Sequence, residues 1–162
     1  MKTIIAGSRD ITEYSAVLLA IEYAKKHANI EITQIVSGGA NGVDALGEQY
    51  ARENSIPLIV MRADWKNHGK AAGPIRNKQM AECSDALIAI WDGASKGTKN
   101  MISEATKLGL RVYVHRCCNY CINCKPCECE CHSEDSGMMH IIDCCYACPK
   151  CGRMNISANW NH

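Results

Sequence analysis

Eleven of the twelve cysteines in this chain of 162 residues fall between Cys117 and Cys151. That distribution divides the chain into two regions with different means of support. Residues 1–116 carry one cysteine, Cys83, and enough aliphatic side chains to fold by burying them. Residues 117–151 offer few large apolar side chains. A segment of that size cannot build a sufficient core and needs metal or disulfide staples. Two domains are therefore expected, 1–116 and 117–162.

The first region alternates apolar runs with helical patterns. Residues 2–6, 32–36, 57–61, 86–91 and 111–114 read as strands, and 12–27, 43–54, 75–82 and 100–108 as helices. Thr12 is the expected N-cap of the first helix and Gly109 the C-cap of the last. Val43, Leu46, Gly47, Tyr50 and Ala51 mark the inward face of the second. Residues 86–91 form an unbroken apolar run suited to the middle of a parallel sheet. Residues 63–77 read as a long polar loop, and loops of that length are usually functional. The expected fold class is α/β: a Rossmann-like parallel sheet with helices on both faces, plus a small irregular metal-stabilised C-terminal module.

In such sheets a ligand sits beyond the C-terminal ends of the strands. Every polar loop of this chain follows a strand, so the loops converge on one edge. Residues 37–44 read Ser-Gly-Gly-Ala-Asn-Gly-Val-Asp between a strand and a helix. That layout presents bare backbone N–H groups to a phosphate at a helix N-terminus. The alternative is a tight turn with no ligand. Gly38, Gly39, Gly42, Gly93, Gly97 and Thr98 are candidates for a phosphate and ribose cradle. Arg9 and Arg76 offer guanidinium forks for phosphate, against the plainer role of a solvated charge. Asp44 either accepts from a ribose hydroxyl or serves the helix dipole in its first turn. Trp65 either stacks a base or packs as a lid. Lys70 and Ser95 are weaker candidates, and His68 is either an acid–base group or a solvated loop residue. Cys83 is expected as a small buried residue, and Met80 and Met101 as core.

The cysteine spacing is regular. It runs Cys117, Cys118, Cys121, Cys124, Cys127, Cys129, Cys131 and His132, then His140, then Cys144, Cys145, Cys148 and Cys151. C-x-x-C steps recur along it, each able to chelate one tetrahedral ion through two thiolates. Two or three zinc ions are the expected cofactors, with Cys117, Cys118, Cys121, Cys124, Cys127, Cys129, Cys131, His132, Cys144, Cys145, Cys148 and Cys151 as ligands. Disulfides and an iron–sulfur cluster are the competing readings.

No apolar run is long enough for a transmembrane helix, and the N-terminus enters a strand without a leader pattern. A cytoplasmic protein is expected. The net charge is +1. Residues 1–116 hold 15 Lys/Arg against 12 Asp/Glu, and residues 117–162 hold 3 against 5. Neither half is a basic patch that compels nucleic-acid binding, so nucleic acid is not an expected partner. Homo-oligomerisation stays open.

Six blocks then occur together and in order: Gly7-Ser8-Arg9; Ser37-Gly38-Gly39-Ala40-x-Gly42-Val43-Asp44; Ala63-Asp64-Trp65; Gly69-Lys70-x-Ala72-Gly73-Pro74-x-Arg76-Asn77-x-x-Met80; Asp85-Ala86-Leu87-Ile88; and Trp91-Asp92-Gly93-x-Ser95-x-Gly97-Thr98. In these the chain resembles the YspA/YpsA-related branch of the SLOG superfamily, over about residues 1–116. That superfamily includes cytokinin-activating phosphoribohydrolases, the DNA-processing protein A fold and molybdenum-cofactor carriers. The resemblance implies a Rossmann-like sheet that binds a nucleotide or nucleotide-derived ligand, and it adds Gly7, Ser8, Ser37, Asn77 and Asp92 to the candidate site. The phosphoribohydrolases carry an arginine before their fourth strand, matched by Arg76. They also carry Gly-Gly-x-Gly-Thr-x-x-Glu after it, and counting from Thr98 the glutamate position holds Met101. A thioether cannot replace a carboxylate in acid–base work or oxocarbenium stabilisation. The leading expectation is a binding protein that senses, carries or sequesters a small nucleotide-derived molecule. The first alternative is a hydrolase of a nucleotide N-glycosidic bond that recruits Asp44, Asp92 or Glu104. The second is a nucleic-acid-binding adaptor.

Overall fold

The computed structural model describes residues 1–117 and 140–142. Six parallel strands form one sheet: β1 (Lys2–Gly7), β2 (Gln34–Ser37), β3 (Leu58–Val60), β4 (Ala86–Trp91), β5 (Arg111–Arg116) and β6 (His140–Ile142), in the order β3-β2-β1-β4-β5-β6. The helices are α1 (Tyr14–Ala28), α2 (Val43–Glu53), α3 (Trp65–His68), α4 (Ala72–Glu82) and α5 (Lys96–Lys107), with a 3-10 turn at Gly69–Ala71. The fold is thus α/β and Rossmann-like.

Side chains of successive strand residues point to opposite faces, and here both faces are apolar. Ile5, Ile88, Ile90 and Tyr113 join Val17, Ala20 and Ala24 of α1 and Val43 and Ala51 of α2 in one cluster. Ile4, Ala6, Leu87, Ala89 and Val114 join Met80 of α4 and Met101 and Ala105 of α5 in the other. Each fully buried Ile, Leu or Val contributes roughly 1.5–3 kcal/mol, which explains why β4 reads as a continuous apolar run. Met80 and Met101 are core residues, 1% and 2% exposed.

Several boundaries differ from expectation. Helix α1 starts at Tyr14. Its N-cap is Glu13, in extended conformation and without a side-chain cap bond, so Thr12 does not cap it. This start lets the Tyr14 hydroxyl donate to Glu53 of α2 at 2.6 Å. Residues 63–77 are mostly helical rather than a loop. The Asp64 carboxylate accepts from the Asn67 amide at 3.1 Å and caps α3. Gly69, at φ 48°, turns the chain, and α4 begins at Ala72 with Pro74 in its first turn, where a missing N–H costs nothing. Helix α5 begins at Lys96, four residues ahead of expectation, because the Ser95 hydroxyl accepts from the Thr98 amide. Cys83 is half-buried at the C-cap of α4, not fully buried.

Strand β6 has no counterpart in the sequence-based assignment. It comes from the cysteine-rich segment and pairs Tyr113 with His140 and His115 with Ile142. Of the proposed metal ligands, Cys117 is described, and its N–H donates to the Trp91 carbonyl at 2.9 Å. The other ligand positions, Cys118 to His132 and Cys144 to Cys151, lie outside the described residues. Among the described residues no cluster of metal-binding side chains occurs, and no helix is long and apolar enough to cross a membrane.

Candidate functional site

The strand order places β1 beside β4, with β2 and β5 beyond them. The connections from β1 and β4 therefore leave the sheet in opposite directions and open a crevice at their C-terminal ends, as doubly wound sheets do. A cleft of about 640 Å³ occupies this position. Its floor is Ala6 and Gly7 at the end of β1. One wall is Arg9, Ala40 and Asp44; another is Trp65, Gly73, Pro74, Arg76 and Asn77. The third is residues 92 and 94–98, with Met80 and Met101 deepest.

Glycines in and behind the floor allow backbone to meet backbone. A Cβ on Gly7 would stand 2.1 Å from the Ile90 carbonyl oxygen and 2.7 Å from Val43 Cγ2. One on Gly42, at φ 74°, would meet the carbonyl oxygens of Arg9 and Ser8 at 2.5 and 2.6 Å. The Ser8 N–H donates to Ile90, and its hydroxyl accepts from the Asp92 N–H at 3.2 Å. The first and fourth strand ends and the start of α2 are thereby locked together.

Gly38 has a different purpose. A Cβ there would fall 1.6 Å from Arg76 Nη1 and 2.7 Å from Asp44 Oδ2, so its absence makes room for a guanidinium. Arg76 Nη1 lies 3.8 Å from Asp44 Oδ2, and the two side chains are 14% and 6% exposed. Burial pushes the Asp44 carboxyl above the ordinary carboxylate range, against the pull of Arg76 and of the Ala40 and Gly7 amides. Burial likewise lowers Arg76, with Asp44 opposing that change and Arg9 adding to it. Desolvation thus outweighs attraction on both partners, as in many buried pairs.

The third wall is the start of α5. The Asp92 carboxylate accepts from the Ala94 and Ser95 amides, both at 2.8 Å. Burial raises it, but those two amides and the Ser8 hydroxyl outweigh burial and hold it below the usual range. Asn77 bridges α4 to α5 by donating to the Gly97 carbonyl at 3.3 Å and to Asn100 at 2.9 Å. A Cβ on Gly97 would meet nothing within 4 Å. The first turn of α5 lines the cleft with the positive end of its dipole, its Thr98 amide being taken by the Ser95 hydroxyl.

The structure brings Gly7, Arg9, Asp44, Trp65, Arg76, Asn77, Asp92, Ser95, Gly97 and Thr98 to this cleft. Ser8, Ser37, Gly38, Gly39, Gly42, Lys70 and Gly93 do not line it. Ser37 is buried, with its hydroxyl donating to Glu48 at 2.7 Å. Gly39 and Gly93 have positive φ, and side chains there would press on Val60 and Arg116. Lys70 and His68 are exposed in the α3 to α4 connection. Gly73, Pro74, Lys96 and Asn100 line the cleft without having been expected. Pro74 and Ser95 carried the missed signal: a proline in a first helical turn and a serine N-cap, each fixing an earlier helix start. Of the carboxylates weighed for hydrolysis, Asp44 and Asp92 line the cleft. Glu104 does not, and it pairs with Lys107 at 2.9 Å.

A curated relative, the Gene 61 protein of Mycobacterium phage D29, is 37% identical over 84 residues, which cover 48% of this chain and 67% of that one. A solved structure of DNA processing protein A from Helicobacter pylori, described for its single-stranded DNA binding mode, matches with a TM-score of 0.49 and 26% identity. That match covers 70% of this chain and 64% of the other. The expectation that nucleic acid is not a partner stands against that neighbour's described single-stranded DNA binding. Charge summed over each half does not show where the charges stand. The cleft carries Arg9, Arg76 and Lys96 beside Asp10, Asp44 and Asp92, and exposed Trp65 is followed by exposed Lys66 and Lys70. Residues 1–68 match the family model described as YspA, cpYpsA-related SLOG, and the chain belongs to that family.

Proposed function

We propose that the cleft binds the phosphate and sugar of a nucleotide or nucleotide-derived ligand. One observation carries this reading: the first turn of α5, Arg9 and Arg76 approach a single open space from three different elements. The helix N-terminus suits an anion through backbone N–H groups and dipole, and arginine adds a planar fork. Titration calorimetry with AMP, ADP-ribose and a short oligothymidylate tests it. Binding of at least one is expected, and a folded protein that binds none would remove the proposal.

Gly97 gives a clean variant. Gly97→Ala adds a methyl group to empty space in a helix, so folding stability is expected to hold or to rise by up to about 1 kcal/mol. The same methyl intrudes on the ligand, and affinity is expected to fall about tenfold, roughly 1.4 kcal/mol. Thermal unfolding and calorimetry on one sample check both halves.

The second reading is that the nucleotide unit belongs to a single strand. Trp65 favours it: the indole is 53% exposed at the cleft rim, its ring edge 3.4 Å from where a Gly73 Cβ would be. Stacking platforms of this kind bind single strands with little sequence preference. Under this reading the oligothymidylate binds more tightly than AMP, with affinity falling steeply as salt rises.

We further propose that residues 117–151 hold structural zinc, supported by the repeated C-x-x-C spacing. Elemental analysis is expected to find two or three zinc ions per chain. Chelation is expected to raise hydrogen exchange at β6, which lies in sequence between Cys131 and Cys144, while ligand binding in the cleft survives. Metal-free protein as purified would count against it.

A further inference from the structure

Asp44 and Arg76 share the cleft wall, yet they do not satisfy each other. Their shortest contact, 3.8 Å, exceeds hydrogen-bond distance. Arg76 Nε is buried and has no hydrogen-bond partner among the described residues. Nη1 reaches the Met61 carbonyl only at 3.5 Å. A guanidinium carries five donors, so Arg76 is held in place by the gap at Gly38 more than by bonds, with donors to spare. Asp44 accepts from the Ala40 amide at 3.3 Å. The other charged groups around the pair are Glu48, one turn along α2 and engaged by Ser37, and Arg9 from the loop after β1. Asp10, Asp92 and Lys96 also line the cleft.

We propose that a ligand's anionic group takes Arg76 away from Asp44, and that Asp44 takes up one proton from solvent as it does so. The proposal rests on the cleft being the ligand site. Arg76 turns its unused donors to the anion. Asp44 then loses its cation and gains a negative neighbour in a desolvated wall, and both changes disfavour the carboxylate. Burial has already pushed Asp44 upward in the empty cleft. Once protonated, its hydroxyl becomes a donor to the ligand, which a carboxylate cannot be. No covalent bond to the ligand forms or breaks.

A ligand class follows from this exchange. Binding strengthens as pH falls, by up to about tenfold per pH unit for one proton. A phosphate monoester loses its second charge near pH 6 and so loses attraction over the same range. A phosphodiester or pyrophosphate diester keeps its charge. The site therefore favours diester anions, whether in a free dinucleotide-like ligand or in a strand backbone.

ADP-ribose is the probe, because both its phosphates stay singly charged. Titration calorimetry of the full chain between pH 6 and 8, in buffers of different ionisation enthalpy, counts the protons. Uptake approaching about one per ligand is expected in wild type. Asp44→Asn is expected to bind with no uptake and no pH dependence. Infrared difference spectra on ligand addition give a second measure, with loss of carboxylate and gain of carboxylic acid absorption in wild type. Binding without uptake in wild type overturns this proposal and leaves the binding reading intact. Uptake that persists in a folded Asp44→Asn also overturns it. No binding of ADP-ribose at any pH overturns it together with the diester class, while AMP or oligothymidylate binding would still keep the cleft as a ligand site.

Discussion

Gly7→Ala is expected to destabilise the protein by about 3 kcal/mol or more, the upper range for overpacking a core. The methyl group would stand 2.1 Å from a carbonyl oxygen of β4 and 2.7 Å from Val43. Neither can move away cheaply. The Ile90 carbonyl accepts the Ser8 N–H that fixes the loop after β1, and Val43 is fully buried at the start of α2. Relief requires β1 and β4 to separate at the very point where the cleft opens. Urea denaturation should show a lower midpoint with an unchanged slope, and ligand affinity should fall in the protein that stays folded. A loss below about 1 kcal/mol would mean that the strand ends are loose. Gly38→Ala makes the useful contrast. Its closest obstacle is the far end of the Arg76 side chain, which can swing aside, so the expected damage falls on binding more than on folding.

That contrast shows what the sequence could and could not disclose. Apolar runs gave the sheet, since β4 buries both its faces and β1 alternates Ile4 and Ile5 between two cores. The glycines were legible as a group but not by purpose. Gly97 faces open space and suits a ligand, Gly38 admits a guanidinium, and Gly7 and Gly42 let backbones touch. All four invite one phosphate-loop interpretation, because a missing Cβ looks the same in sequence whatever fills its place. Arg76 could be named as a phosphate partner, but its burial against Asp44 depends on a contact across 32 positions of chain. Residues 63–77 are polar yet helical, so composition alone does not mark irregular backbone. Asp64 and Pro74 are local helix signals that outrank composition. Strand β6 was invisible for a tertiary reason: three residues inside a cysteine-rich stretch carry no period, and only the open edge of β5 makes them a strand.

Arg76→Ala is expected to cost about 3–5 kcal/mol where Asp44 is ionised, because it leaves a buried carboxylate alone. The pair itself is worth less than this, since desolvation dominates both partners; the variant exposes the cost of breaking it. The loss should depend on pH in a definite direction. Asp44 titrates above its unfolded value, near 3.9, so its protonation favours the folded state. The stability it contributes is complete below that unfolded value and is lost as pH rises through the folded one. Without Arg76 the folded value rises further, and the window widens upward. The deficit relative to wild type should therefore be largest near pH 8 and shrink as acid protonates Asp44. Adding Asp44→Asn to Arg76→Ala should recover most of the loss at pH 8, because the amide keeps the shape and carries no charge. Urea titrations of the two single variants, the double variant and wild type at pH 5 and pH 8 form a complete cycle. A deficit that ignores pH, or that Asp44→Asn fails to repair, would show that Arg76 stabilises by packing over Gly38 and not by compensating Asp44. It would then have no bound carboxylate to surrender when an anion arrives.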